Sequence, residues 1–338
     1  METRGTWGAG WIAGLGAKVM DAENQADMAY SLAINSALGV EKNKYTSLFK
    51  AKSTNAARET MVNKSGVNYF AQTTEGDDYN TDARTPGYPV QWNPIKKTQS
   101  LEITEEDKDD RDKSIADKMD EVTDIKVAYM MTADRDAFSL FNYAFTAQAS
   151  LPNHLTFYAD GTPLCSTIHP IKDSTTSNTT QSNASSTGIT LTEANLETAR
   201  QAHRRQTDDR DLPMNVGGGR VILLVPDALE KTAMILAKST KRSGTSNNDL
   251  NIYDGIVTVM STKWINSQQT SGSDTAWFLI DSMKSPAIYM SRRGYTSSIW
   301  QDNKNKNMVY DASFRYQVGN KDFRGVWGSK GDGSAYSS

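Results

Sequence analysis

The sequence predicts an α+β fold organised around one long helix. Residues 107–149 carry the longest helical pattern in the chain, and no proline interrupts it before Pro152. The segment before it, residues 61–106, contains the turn residues of a long β-hairpin. From Gly217 onward, short strands alternate with helices, as they do in an α/β domain.

The composition limits both the core and the partners. The 338 residues suffice for one large or two modest domains. Counted with glycine and without tyrosine, about 40% of them are apolar, against about 45–50% in typical globular domains. A net charge of −3 argues against a strongly basic protein that coats nucleic acid. No apolar run is long enough to cross a membrane. We therefore expect extended segments that become buried on neighbouring chains.

Residues 1–60 are predicted to form an N-terminal arm. Trp7 and Trp11 stand among small residues, and an amphipathic stretch follows them. A glycine pattern of the dinucleotide-binding type begins at Gly8, but too few residues precede it to form the strand that such a site requires. We interpret the two tryptophans as contacts to a partner. The start shows no signal-peptide pattern.

The predicted hairpin has too few apolar residues to bury itself. Residues 67–73 alternate as a strand, residues 75–89 are rich in turn residues, and a return strand is expected at residues 90–103. An isolated two-stranded hairpin is marginal in water, so this one should lie on its own body or on another chain. With Trp7 and Trp11, the candidate contacts between subunits are Asp77, Asp78, Arg84, Tyr88, Lys96 and Lys97.

One face of the predicted long helix is apolar at steps of three and four residues. That face consists of Ile115, Met119, Val122, Ile125, Tyr129, Ala133, Ala137, Phe141 and Phe145. Acidic residues crowd its start at residues 105–112, where the helix dipole favours them. The spacing of a calcium loop is absent, so we interpret these acids as a solvated helix start.

Beyond the helix, residues 173–188 are polar and are predicted to form a mobile surface loop. A helix is expected at residues 193–206, with Thr190 and Glu193 as a capping box. Gly217–Gly219 precede a buried strand at residues 220–225. They lack the lysine and hydroxyl residue of a phosphate loop.

The last third of the chain continues this alternation. A helix is expected from Pro226, with Leu229, Thr232, Ala233 and Leu236 on its buried face. Further strands are predicted at residues 256–260, 276–281, 286–291 and 308–318. The last of these strands has a period of two with one apolar face, which makes it the clearest strand of the chain.

No catalytic, cofactor-binding or metal-binding residues are predicted. The single cysteine, Cys165, excludes an intrachain disulfide and fits a reducing compartment. His154, His169 and His203 lack the spacing of a zinc site, and the His169–Pro170 pair is expected to be structural.

Four segments occur in a characteristic order along residues 65–330. They are the hairpin end Leu101–Thr104 before the acidic helix; Asp160-Gly161-x-Pro163-Leu164-x-Ser166-x-x-His169-Pro170; Val221–Glu230 with the later Ala276–Asp281; and Phe314–Gly328. In this order they resemble the major capsid proteins of tailed bacteriophages. Those proteins share the Hong Kong ninety-seven fold with herpesvirus shells and encapsulins.

The resemblance implies a phage major-capsid fold in five parts. These are an N-terminal arm (1–60), an extended β-hairpin loop (61–106), a peripheral domain with a spine helix (107–216), an α/β axial domain (217–305), and a peripheral return strand with the C-terminal tail (306–338). In the family archetype, a lysine of the extended loop bonds covalently to an asparagine of a neighbour. Lys96 and Lys97 are available for this role, as are Asn303, Asn305 and Asn307, but no local sequence marks either set.

The function that the resemblance implies is structural. Copies of the chain would form hexamers and pentamers of an icosahedral shell around packaged DNA, without sequence-specific DNA binding and without a membrane. The shell would belong to the virion and would assemble in the host bacterial cytoplasm, with portal and scaffolding proteins as partners. One alternative is an encapsulin-like compartment around a cargo enzyme. Another is a nucleotide-binding α/β enzyme, for which the sequence offers no nucleophile–base pair, metal spacing or complete phosphate loop.

Overall fold

The computed structural model describes residues 44–76, 78–79, 81–104, 115–172, 179–239 and 251–336. Their helices are α1 (Ile115–Asn142), α2 (Glu193–Arg204) and α3 (Glu230–Lys238). Their strands are β1 (Lys50–Ser53), β2 (Glu59–Lys64), β3 (Pro86–Trp92), β4 (Ile95–Ile103), β5 (Leu155–Thr156), β6 (His169–Pro170), β7 (Thr180–Gln181), β8 (Val221–Pro226), β9 (Val257–Thr262), β10 (Trp277–Asp281), β11 (Ala287–Gln301), β12 (Met308–Asn320) and β13 (Val326–Ser329).

The chain divides into two compact units. The described residues of the first unit are Lys44 with 96–104, 115–134 and 293–315. The second unit holds the rest of the described chain, from Tyr45 to Ile95, Arg135 to Arg292 and Tyr316 onward. The second unit contains the surfaces discussed below.

Helix α1 confirms the prediction of a long helix but ends earlier than expected. Its predicted positions Ala133, Ala137 and Phe141 are buried. The predicted end at Ala149 was wrong, because the chain leaves the helix after Asn142. The Asn142 side chain donates to the carbonyl of Trp264 (2.9 Å), and the freed carbonyl of Ala144 accepts from the amide of Cys165 (2.8 Å). A longer helix would have paired the Ala144 carbonyl internally, and the bond from Cys165 replaces that pairing. The predicted acidic start at residues 105–112 lies outside the described residues.

The hairpin exists with a different register from the predicted one. Its first strand is β2, which pairs antiparallel with β3 from Glu59↔Trp92 onward, so the strand predicted at residues 67–73 was wrong. Burial explains the shift: β3 contributes Val90 and Trp92, both with no exposed surface, and Met61 of β2 packs against them. The predicted return strand is also divided into β3 and β4, because Pro94 has no amide hydrogen for a ladder.

A five-stranded sheet combines strands from distant parts of the sequence. Its order is β1-β11-β12-β4, and β5 pairs with β12. Strand β12 confirms the predicted period of two, with Tyr310, Ala312, Phe314 and Tyr316 buried. Strand β11 extends the predicted strand of residues 286–291 to Gln301. Strand β1 pairs parallel with β11, so residues 50–53 of the predicted N-terminal arm belong to this sheet.

A four-stranded sheet in the second unit carries a separate core. Its order is β13-β10-β8-β9, and α2 and α3 pack against it. Strand β8 is buried at every position, as the sequence predicted. The glycines before it do not form a free anion loop, because the amide of Gly217 donates to the Asp281 carboxylate (2.6 Å). The apolar core of this sheet includes Leu196, Leu223, Ala233, Trp277, Leu279 and Trp327.

Helix α2 begins at Glu193 as predicted, but its N-cap residue lies two positions after the predicted Thr190. Its N-cap is Thr192, whose hydroxyl accepts from the amide of Asn195 (3.3 Å). Thr190 contributes only its carbonyl, which accepts from the Asn195 side chain.

We expect Thr192→Ala to lower the free energy of unfolding by about 1 kcal/mol, since it removes the cap. Urea titration measures this loss, and Thr190→Ala is the matched control that should cost much less. Equal losses in both variants would contradict the assignment.

The polar segment before α2 is anchored where the structure describes it. The predicted mobile surface loop was wrong for residues 179–188, since Asn183 has no exposed surface and Ala184 is buried. The Asn183 amide nitrogen donates to the carbonyl of Leu164 (2.8 Å), and its oxygen accepts from the amide of Ser166 (2.8 Å). A side chain with this set of bonds is part of the core in spite of its polar neighbours in sequence.

His203 on α2 should make stability depend on pH. It is fully buried, and neither ring nitrogen has a hydrogen-bond partner. Burial lowers its pKa from 6.5, although the nearby backbone of Gly325 and the carboxylate of Asp281 oppose the shift. The unfolded chain therefore takes up the proton first as pH falls, and stability decreases below about pH 6.5, by at most about 1.4 kcal/mol per pH unit. Urea titrations at several pH values should show this slope in the native chain and its loss in His203→Leu. The same slope in both would contradict it.

Candidate intersubunit surface

The segment between β2 and β3, residues 65–85, forms a long connection that we call the hairpin loop. Its two ends are closed by hydrogen bonds. The amide of Ser65 donates to the carbonyl of Thr85, and the amide of Thr85 donates to the hydroxyl of Ser65, both at 2.9 Å. Arg84 adds a bond from Nε to the Ser65 carbonyl (2.7 Å). The base of the loop is thus defined by its own backbone.

A turn at residues 206–212 holds this base. Arg210 binds the carboxylate of Asp82 at 2.7 and 2.9 Å and also donates to the carbonyl of Ala83. The amide of Asn68 and the guanidinium of Arg210 lower the pKa of Asp82. Asp208 accepts from the amide of Gly66 (2.7 Å) on the other side of the loop. Both sides of the loop are therefore fixed to one turn of the body.

Beyond this base, the loop exposes large apolar side chains. Phe70 and Tyr79 are almost fully exposed at 106% and 94%, and Tyr69 and Val67 follow at 73% and 60%. Burying such a side chain is worth about 1.5–3 kcal/mol. Aromatic residues are also enriched at protein interfaces. The exposed face of the hairpin loop therefore has the composition of a contact surface that its own chain leaves uncovered.

A buried ionic network supports the turn that holds the loop. Arg324 is 5% exposed and binds Asp209 (Nη2 to Oδ1, 2.7 Å) and Asp322 (Nη1 to Oδ1, 3.3 Å). Its Nε donates to the carbonyl of Thr207 (2.6 Å). Burial opposes the charge of Arg324, but the two carboxylates outweigh it and raise the pKa of the guanidinium. Burial also raises the pKa of Asp322.

The network continues through stacked rings to His169. Phe323 stacks on the His169 ring with centroids 3.8 Å apart and planes 2° apart. The His169 nitrogens face Asp160 Oδ2 at 2.6 Å and Asn183 Oδ1 at 3.0 Å. The prediction of a structural role for His169 is consistent with these contacts. The stack thus joins two segments that are distant in sequence, one carrying His169 and the other Phe323.

The structure places five of the eight predicted contact residues. Asp78, Arg84 and Lys96 are exposed, and Lys97 is half-buried. Tyr88 is half-buried against the ring of Tyr158, and the amino nitrogen of Lys172 lies over the Tyr88 ring, 5.4 Å from its centre. Burial and the nearby Asp160 raise the pKa of Tyr88. The remaining three residues, Trp7, Trp11 and Asp77, lie outside the described residues.

The sequence reasoning missed four exposed apolar residues of the hairpin loop. Val67, Tyr69, Phe70 and Tyr79 were assigned to a strand or a turn rather than to a contact surface. A signal was present, because residues 65–83 contain these aromatics and no lysine or arginine. The anchor Arg210 had no local signal, since its partner Asp82 is distant in sequence.

The described residues offer no evident reaction centre. No group of three or more His, Cys, Asp or Glu side chains among them could hold a metal ion. Cys165 is buried, and burial raises the pKa of its thiol, which makes it a poor nucleophile. Within the described chain, no helix is both long and apolar enough to span a membrane. What remains is a surface suited to binding another protein chain.

Comparisons with known proteins agree with this type of surface. A model of the phage capsid protein family matches residues 87–329, which is well over half of the chain. No curated protein matches the chain. Among solved structures, the mature capsid of bacteriophage PhiM1 has 14% identity and a TM-score of 0.52, covering 85% of this chain and 86% of its own.

Two further solved structures show similar agreement. The structure of Mycobacterium phage Patience has 12% identity and a TM-score of 0.52, covering 91% of this chain and 88% of its own. The capsid of bacteriophage JBD30 has 14% identity and a TM-score of 0.51, covering 68% of this chain and 93% of its own. At such low identity these similarities establish the fold.

Proposed function

The chain belongs to the phage capsid protein family, and from that premise we propose that its copies form the hexamers and pentamers of an icosahedral head. It is a major capsid protein and therefore a structural protein. The mechanism of such a protein is assembly, in which each copy completes the surface of the next. A closed ring of identical head-to-tail contacts needs one donor surface and one acceptor surface per chain.

The observation that carries the proposal is the contrast within the hairpin loop. Its base is fixed by buried and half-buried ion pairs, while its apolar residues have no cover from their own chain. A fixed base reduces the entropy lost when the loop binds, because less of the chain must be ordered. This design favours a donor surface that binds a neighbouring copy.

We also propose the five-part division given by the resemblance, and the partners that a head requires. In this proposal, residues 61–106 overlap a neighbouring subunit, and portal and scaffolding proteins complete the head in the host cytoplasm. A net charge of −3 suits an inner wall that encloses DNA without adhering strongly to it. The family match favours this function over an encapsulin-like compartment.

Sedimentation of the expressed chain tests the proposal. We expect capsomers or closed shells rather than a 37.3 kDa monomer, with rings or shells visible by negative-stain microscopy. Particles from infected or induced cells should contain nuclease-protected DNA. A chain that stays monomeric at high concentration would refute the proposal, and particles holding a protein cargo without DNA would favour the encapsulin-like alternative.

A further inference from the structure

A cavity of about 480 Å³ lies beside the base of the hairpin loop in the second unit. Its wall includes Lys50, Lys64, Lys284 and Lys321, which come from four separate segments of the chain. It also includes Asp208, Asp209, Asp322 and Arg324 from the network described above. Whether it attracts cations or anions depends on which of these charges are already neutralised.

The acidic residues of the wall are engaged inside the protein. Asp208 accepts from the amides of Gly66 (2.7 Å), Arg210 (2.8 Å) and Leu212 (2.9 Å). Asp209 and Asp322 share the guanidinium of Arg324. These carboxylates are therefore already hydrogen-bonded or ion-paired inside the protein, and the basic side chains of the wall outnumber them.

The basic residues and one hydroxyl are not engaged. Within the described chain, the amino groups of Lys50, Lys64, Lys284 and Lys321 have no hydrogen bond and no ion pair. Ser285, also in the wall, is 3% exposed, and its hydroxyl has no hydrogen-bond partner. A buried hydroxyl without a partner is costly, so it indicates a ligand atom or water that the isolated chain lacks. The cavity thus offers four free cations and a free donor to an anion.

The same chain carries a matching anion. The hairpin loop has no lysine or arginine between Lys64 and Arg84, but it contains Glu75, Asp77, Asp78 and Asp82. Asp82 is neutralised by Arg210, which leaves the three acids of residues 75–78. Asp78 lies twelve positions after Gly66, and an extended chain of this length reaches about 40 Å, enough to extend to a second molecule.

We propose that this cavity receives the carboxylates of Glu75 and Asp78 from the hairpin loop of a second copy of the chain. This inference rests on the proposed function and adds to it the acceptor site and the charges that select it. Each copy then carries one acidic donor and one lysine-lined acceptor. A donor and an acceptor on different surfaces produce a head-to-tail contact, which closes into a ring. Complementary charge favours correct docking and disfavours other pairings.

A charge exchange tests the pairing. We expect the pocket variant Lys64→Glu/Lys321→Glu and the loop variant Glu75→Lys/Asp78→Lys each to lower the yield of shells at least tenfold in density gradients. Combining all four changes should restore the yield to within about twofold of the native chain, because opposite charges face each other again. Circular dichroism and thermal unfolding check that each variant folds. The matched control is Lys231→Glu/Asp254→Lys, which changes exposed charges outside the cavity and should assemble normally.

Each result of the charge exchange supports or overturns the proposed pairing. Normal shells from either reversed variant would overturn the inference while leaving the capsid function intact. Loss of shells without rescue in the combined variant would also overturn it, since the cavity would then serve another anion, such as a nucleic-acid phosphate. If the native chain forms neither capsomers nor shells, the proposed function fails and this inference fails with it.

Zero-length crosslinking identifies which copy supplies the loop. A carbodiimide joins an amine to a carboxylate only when the two are in contact. In shells assembled from equal amounts of ¹⁴N- and ¹⁵N-labelled chains, we expect linked peptides between Lys64 or Lys321 and Glu75 or Asp78 in which the two halves carry different isotopes. Linked peptides with only matched isotopes would place the loop of the same chain in the cavity and overturn the proposal.

Discussion

Replacing residues 69–80 by a Gly-Ser linker is expected to leave a folded chain that forms no closed shells. The replacement removes Tyr69, Phe70 and Tyr79, whose exposed surface has no role in the fold of a single chain. It keeps the bonds between Asn68 and Asp82 and between Asp82 and Arg210 at the base of the loop. Exposed changes of this kind alter the free energy of unfolding by about 0.5 kcal/mol or less. Assembly should nevertheless fail, because every contact in a ring loses its donor surface.

Sedimentation and thermal unfolding of the same preparation separate these two effects. We expect native-like unfolding together with a shell yield below detection. A substitution set without any deletion, Tyr69→Ser/Phe70→Ser/Tyr79→Ser, should also prevent shell closure. Its matched control is Ile252→Ser/Met283→Ser, which removes two exposed apolar side chains outside the loop, at 61% and 78% exposure. Closed particles from the chain with the Gly-Ser linker would show that the hairpin loop has no part in assembly.

Regular periodicity made several elements predictable from the sequence. Strand β12 alternates over its length because one face lies against the protein, and Phe314 there packs edge-on against Tyr129 at 4.7 Å. Strand β8 was predictable from its continuous apolar run, since both of its faces are buried. In each case the residue types record the burial directly.

Other elements depend on partners that are distant in sequence. The hairpin register was predicted wrongly because residues 67–73 alternate like a strand, whereas the apolar surface that selects the register is supplied by Ile288, Met290 and Phe323. Asn183 was assigned to a mobile loop because its neighbours are polar, yet its four hydrogen-bonded contacts place it in the core. Local sequence carries no record of such partners.

The candidate intersubunit surface also has a part that local sequence predicts and a part that depends on residues distant in sequence. Low apolar content predicted that residues 61–106 cannot bury themselves, and the exposed residues Phe70 and Tyr79 of the proposed contact region lie within this segment. The anchor Arg210 and the proposed acceptor cavity were not predictable, because Arg210 and the lysines of the cavity come from segments that only the fold brings together. A sequence does not show which charged side chains lack an ion-pair partner, because that depends on which residues the fold brings near them.

The largest effect on stability is expected from Arg324→Met. Methionine fills a similar volume but leaves the buried Asp209 and the half-buried Asp322 without a cation, and the carbonyl of Thr207 without its donor. Breaking a buried ion pair by removing one partner costs about 3–5 kcal/mol, a large part of the total stability of a domain. Urea titration measures this loss in the chain with the Gly-Ser linker at residues 69–80, where we expect assembly to add no stability.

The pH dependence of that loss identifies its cause. Burial already raises the pKa of Asp322, and removal of Arg324 takes away the charge that opposes this shift. The folded variant should therefore bind protons that its unfolded form releases, so its stability relative to the native chain recovers as pH falls from neutral toward 3.8, the ordinary pKa of an aspartate. Arg220→Met is the control, since it removes an exposed guanidinium and should cost less than about 0.5 kcal/mol. A loss of several kcal/mol that stays constant with pH would mean that Arg324 acts through packing alone, and that the carboxylates beneath the hairpin loop need no charge to balance them.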